Sequence, residues 1–222
     1  MNNPVIISVA VILLLNNSCQ NQEFRTIHEN TEWSHTWIVN TSDTLLPRVL
    51  VIGDSHAERY YPHIAYSLNR LANVCKLSTS KSLGDPVLIE QISTVLKQHR
   101  FNIITFNNGL HGRKYSEKEY AKHLPELIET VKRNSKAKII LVNTTPARKA
   151  NDLNNFQEFD LRITERNRIL SEYAGKHDLM LVDFYNLGSG STENYTDDGI
   201  HFNEKGVKKQ AEILSNIIKG QI

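Results

Sequence analysis

The chain has 222 residues, 40% hydrophobic and 23% charged, with a net charge of +2 from 26 basic and 24 acidic side chains. That is enough apolar material for one α/β domain with a short N-terminal extension, and it carries no basic excess or Lys/Arg run of the kind that grips nucleic acid. Two cysteines, Cys19 and Cys75, cannot make a disulfide framework, and the Cys and His spacings hold no zinc pattern, so neither a metal nor another cofactor is expected.

In chain order, the first feature is the uncharged apolar run "PVIISVAVILLL" from Pro4 to Leu15, followed by "NNSC". It is shorter than the ~20 residues a membrane-spanning helix needs and fits the apolar core of an export signal. Residues 1–19 are read as that signal, and Cys19 resembles the acceptor cysteine of a bacterial lipoprotein. The chain is therefore expected in the periplasm, on the outer membrane or at the cell surface, touching membrane only through a lipid on Cys19. Residues 20–46 are polar around Trp33 and Trp37. They are read as a tether that becomes ordered where the two indoles dock on the domain.

From residue 47 to 222 strand and helix patterns alternate. Apolar runs at 48–52, 73–77, 102–106, 138–143 and 179–184 predict strands, and helices are predicted over 59–71, 86–99, 116–134, 159–177 and 203–219. Asp85 before Pro86 is a helix start, and Ser116 with Glu119 makes a capping box. Pro62 is placed near the first turn of its helix, where proline is tolerated. Cys75, inside a strand, is read as an inert buried thiol. Strands that are apolar on both faces belong to a parallel sheet covered by helices. The expected fold is a three-layer α/β/α sandwich around a five-stranded parallel sheet in the flavodoxin-like order 2-1-3-4-5.

In such a sheet, function gathers beyond the C-terminal strand ends. Those ends read Gly53-Asp54-Ser55, then "STSKSLGDP" with Gly84, "NNGLHG", "TTPAR", and "DDGIHFNEKG" with Asp198 and His201. A serine hydroxyl is a weak nucleophile that needs a base, and a histidine base needs an acceptor on its other nitrogen. Ser55, His201 and Asp198 supply that set. Developing negative charge needs donors, for which Ser55 N–H, Gly84 N–H and the side-chain amide of Asn107 or Asn108 are candidates. Asp54 is read as a cap and Asp197 as solvent-facing. His111 either contacts substrate or fixes its own loop, and Arg148 either contacts substrate or braces its loop.

Ser, Gly, Asn and His in this order on successive strand ends resemble the SGNH (GDSL-like) hydrolase family, over residues 47 to the C-terminus, and within it a branch of exported bacterial esterase-like proteins. The resemblance implies a serine esterase, expected as a monomer, that takes small acyl groups, foremost O-acetyl, from a small-molecule or polysaccharide substrate. A lysophospholipase or thioesterase of the same fold and a non-catalytic glycan-binding module are the alternatives. The third block reads Thr105-Phe106-Asn107-Asn108 where the family has G-x-N-D. Relatives favour Asn107 as the donor, with Asn108 second. His56 follows the serine where relatives carry a small or aliphatic residue.

Overall fold

The computed structural model describes residues 26–222, so the export segment and Cys19 lie outside the described residues. In chain order the elements are β1 (Ser34–Trp37), β2 (Arg48–Gly53), α1 (Ser55–Ser67), β3 (Asn73–Thr79), α2 (Pro86–Gln98), β4 (Ile103–Asn107) and α3 (Glu117–Asn134). There follow β5 (Lys138–Val142), β6 (Arg148–Lys149), β7 (Asp152–Phe156), α4 (Asp160–Lys176), β8 (Met180–Val182), α5 (Tyr185–Ser189) and α6 (Glu204–Lys219).

The five apolar runs pair in parallel in the order β3-β2-β4-β5-β8, the flavodoxin-like order. Side-chain alternation along β2 divides the interior into two layers. Val49 and Val51 face α1 and α6, packing with Tyr60, Ile64, Val207 and Leu214. Leu50 and Ile52 face α2, α3 and α4, packing with Leu88, Ile92, Leu124 and Leu170. Each such fully buried aliphatic side chain contributes about 1.5–3 kcal/mol relative to exposure.

The helix starts follow their caps. Asp85 accepts from Val87 N, Ser116 and Glu119 close their capping box, and Asn203 accepts from Lys205 N and Gly206 N. Helix α1 begins four residues before the expected 59, because Asp54 caps it directly. Pro62 consequently lies well inside α1 rather than in its first turn.

Among the described residues the sheet has six strands rather than five. β1, from the lead-in, pairs antiparallel with the edge of β3, Ser34 opposite Thr79 and Trp37 opposite Lys76. Docking of two indoles is not what orders this segment, since Trp37 stays 61% exposed. Backbone pairing and the Arg48 guanidinium order it. That buried side chain donates to the carbonyls of Val39, Asn40 and Asp43. Two further elements carry no apolar pattern to announce them: the β6–β7 hairpin and the short helix α5.

Candidate active site

The nucleophile turn is a tight crossing. A Cβ on Gly53 would sit 2.6 Å from Ala57 Cβ and 3.2 Å from Asn107 O, so a larger residue would push β2 off both α1 and β4. Asp54 stays extended, and its Oδ1 accepts from His56 N at 2.9 Å. This makes Ser55 the first helical residue. Its N–H belongs to the unpaired first turn of α1, at the positive end of the helix dipole.

The loop before α6 delivers the other two groups. Tyr195 and Phe202 form a bridge, and Thr196 N donates to His201 O at 2.8 Å, which closes the loop into a compact turn. Gly199 has φ +70°, and a Cβ there would lie 2.2 Å from Arg148 O. Only glycine meets both demands. Asp198 Oδ1 accepts from Ile200 N, His201 N and Thr196 Oγ1, each at 2.8 Å. Its Oδ2 lies 2.7 Å from His201 Nδ1, and His201 Nε2 lies 2.9 Å from Ser55 Oγ. Burial opposes ionisation of Asp198. The hydrogen bonds from the His201 ring, the His201 and Ile200 amides and Thr196 outweigh it and hold the carboxyl well below the usual carboxylate range. An ionised Asp198 fixes the proton of neutral His201 on Nδ1 and leaves Nε2 to accept from the serine hydroxyl.

The two candidate asparagines differ in how their amides are engaged. Asn107, the last residue of β4, spends both amide hydrogens on β5 and the residue after it, donating to Val142 O at 3.0 Å and Asn143 O at 2.9 Å. It is a clamp between strands with no amide hydrogen left to give, and the expectation that it is the oxyanion donor is corrected. Asn108 lies just beyond the strand. Its Oδ1 accepts from Leu83 N and its Nδ2 donates once, to Lys81 O, both at 2.9 Å. One amide hydrogen is left without a partner among the described residues. Gly84 sits in the same loop, where a Cβ would lie 2.7 Å from the Tyr115 ring. Its backbone N–H has no bonded partner among the described residues.

Arg148 is not placed to meet substrate. It is buried, donates to the carbonyls of Leu153, Gly188 and Ser189, and stacks on Phe156 and Tyr195. Its backbone N–H donates to Gly199 O at 2.7 Å, so it braces the Asp198–His201 loop. Arg166, which sequence reasoning missed, does the same for "NNGLHG". Only 2% exposed, it donates to the carbonyls of Gly109, His111, Gly112 and Tyr115 and approaches Glu117 at 3.2 Å. Its signal in the sequence is no more than an arginine inside a helix. His111 lies with its ring edge to Trp33. His56 is buried, its ring 5.6 Å from that of His201, with Nε2 3.3 Å from Thr145 Oγ1 and Nδ1 without a partner among the described residues. Burial, opposed by the Asp54 charge, pushes its pKa down to about 4. Among the described residues no group of three or more His, Cys, Asp or Glu side chains could hold a metal ion.

The chain is similar to several known proteins. A stretch of 51 residues is 43% identical to an acetylxylan esterase of Xylanibacter ruminicola, covering 23% of this chain and 11% of that protein. A carbohydrate acetylesterase from Sinorhizobium meliloti superimposes with a TM-score of 0.64 at 14% identity, covering 79% of this chain and 100% of that one. A lipase/acylhydrolase from Enterococcus faecalis superimposes at 0.61 and 17% identity, covering 79% and 96%. Residues 51–209, which carry Ser55, Gly84, Asn108, Asp198 and His201 on the strand ends, match the GDSL-like lipase/acylhydrolase family over most of the chain, and the chain belongs to that family.

Proposed function

We propose that this protein is a serine esterase that removes small acyl groups, O-acetyl foremost, from carbohydrate. The observation that carries the reading is the hydrogen-bonded chain from Asp198 through His201 to Ser55. In the first half-reaction Ser55 Oγ bonds to the ester carbonyl carbon while His201 Nε2 takes its proton. The carbonyl oxygen becomes an oxyanion held by Ser55 N–H, Gly84 N–H and the free Asn108 amide hydrogen. The C–O bond to the sugar breaks, His201 returns the proton to the leaving alcohol, and the acyl group stays on Ser55. Water then repeats the steps and releases the carboxylic acid. The positive end of α1 favours the oxyanion throughout.

The small acyl group is supported by the loops at the strand ends, "STSKSLGD" and "NNGLHGRK", which are short and polar where a long acyl chain would want apolar lining. The carbohydrate is supported by the two acetyl esterase relatives. The test is a chromogenic ester series of increasing acyl length, run beside a panel of acetylated polysaccharides with acetate release measured. Fastest turnover at acetyl, with acetate released from a polysaccharide, is expected. A rate that climbs with chain length would point to the lysophospholipase or thioesterase reading instead.

The site of action is part of the proposal. The apolar run to Leu15 and Cys19 beyond it suit an exported, lipid-tethered enzyme. In a bacterial host, the full-length protein should partition with membranes and Cys19→Ser should release it or leave it unprocessed. A mature N-terminus that starts elsewhere and carries no lipid, read by mass spectrometry, would remove the anchor.

A further inference from the structure

The lead-in segment forms part of the active rim. Ile27 N donates to Tyr115 Oη at 2.6 Å, Gly112 N donates to Glu29 Oε1 at 2.7 Å, and Lys81 Nζ lies 2.8 Å from Glu32 Oε2. Residues 27–33 thus strap the Gly84 loop to the "NNGLHG" loop. Trp33 ends the strap. Its backbone is pinned, with N donating to Ser80 Oγ at 3.0 Å and O accepting from Ser80 N and Thr79 Oγ1, both at 3.0 Å. Its indole is half-buried. It lies 5.4 Å from the His35 ring and 6.3 Å, edge-on, from the His111 ring.

The register gives its distance from the nucleophile. Gly53, the last residue of β2 before the Asp54-Ser55 turn, pairs with Ser78, and two residues further along β3 Ser80 is level with Trp33. Strand β3 lies between β2 and β1. Trp33 therefore stands two strand spacings from the Ser55 strand end, about 10 Å along the rim. A short oligosaccharide spans that distance.

We infer that Trp33, with His111 beside it, is a sugar-binding subsite that receives an unacylated pyranose residue of the glycan chain whose ester lies at Ser55. The chemistry suits this ligand. The C–H face of a pyranose is apolar and weakly positive and stacks on the electron-rich indole face, while its hydroxyls need polar partners such as an imidazole. Because the indole is fixed by its backbone and its neighbours, little side-chain freedom is lost on binding. Trp37 lies on the same face of β1, two residues further along than His35 and opposite Lys76, away from both loops.

This inference rests on the carbohydrate esterase reading of the Ser55 site, and its test separates the two. The substrate is the polysaccharide that releases acetate in the panel above, with 4-nitrophenyl acetate as the small comparison. In the full chain, Trp33→Ala should raise the polysaccharide KM about tenfold relative to its effect on the small ester, the size of one lost stacking contact. Trp33→Tyr should recover most of the loss, and Trp37→Ala should leave both substrates as they were. Equal losses on the two substrates, together with a lowered unfolding temperature, would make Trp33 a packing residue only and overturn the subsite. No selective loss in a folded Trp33→Ala protein would overturn it as well. If no polysaccharide releases acetate while small esters turn over, the carbohydrate reading itself fails and the subsite with it.

Discussion

Asn107 and Asn108 are adjacent and chemically identical, yet the strand end gives them opposite tasks. Asn107 holds two buried carbonyls across to β5, whereas Asn108 keeps a hydrogen to offer. Asn108→Ala should lower turnover about 10²-fold with little change in KM, since the donor matters once charge develops. Asn107→Ala should instead destabilise by about 1–3 kcal/mol, because two buried acceptors lose their donor. Steady-state kinetics beside urea unfolding separates the two. His56 gives a second residue-scale prediction. Its folded pKa of about 4 lies below the ordinary 6.5, so between those values the unfolded chain binds more protons than the folded one. Stability should therefore be complete above the ordinary value and fall as pH drops from 6.5 to about 4, by roughly 3 kcal/mol in all. Urea midpoints at pH 7 and pH 5 should show that slope in the wild type and a flatter one in His56→Phe. Equal slopes would contradict a neutral buried imidazole.

Elements that earn their place by burial were legible from the sequence, and those that earn it by hydrogen bonds were not. The five parallel strands announce themselves as apolar runs, and capping residues mark the starts of α2 and α3. The β6–β7 hairpin reads "RKANDLNNF" and has no such pattern. Its strands exist because Arg148 ties Leu153, Gly188 and Ser189 together and because the Asp198 loop lies on it. The same reason hid the start of α1, whose first turn "SHAE" is polar. Ser55, Asp198 and His201 could be singled out in the sequence because their order on successive strand ends resembles a known family, whereas the register within "FNNG" depends on which way a strand's last side chain turns. A prediction belongs to this scale. Gly199→Ala forces a Cβ against Arg148 O at a positive φ. It should cost about 1–3 kcal/mol of stability and reduce kcat by moving Asp198 and His201 together. Thermal unfolding and kinetics on the same preparation check it, and unchanged kcat would show that the loop does not depend on that close approach.

At the scale of the whole molecule, the lead-in is the least expected part. An edge strand with alternating polar residues and one exposed indole looks like a tether in the sequence, but it caps the open edge of β3 and straps two loops at the active rim. The rest of the molecule is a frame around one short relay. The two core layers fix β2 against its neighbours, β2 ends at Gly53, and α1 starts with the serine. On the other side the hairpin and α6 hold the loop that brings His201 to it. The measurement that tests this most directly is acetyl ester turnover by a Ser55→Ala protein shown to be folded by circular dichroism and unfolding temperature. The relay predicts a loss of about 10⁴-fold or more, with only the donor set and binding left to act. Turnover within a few-fold of the wild type would contradict a serine mechanism at this site.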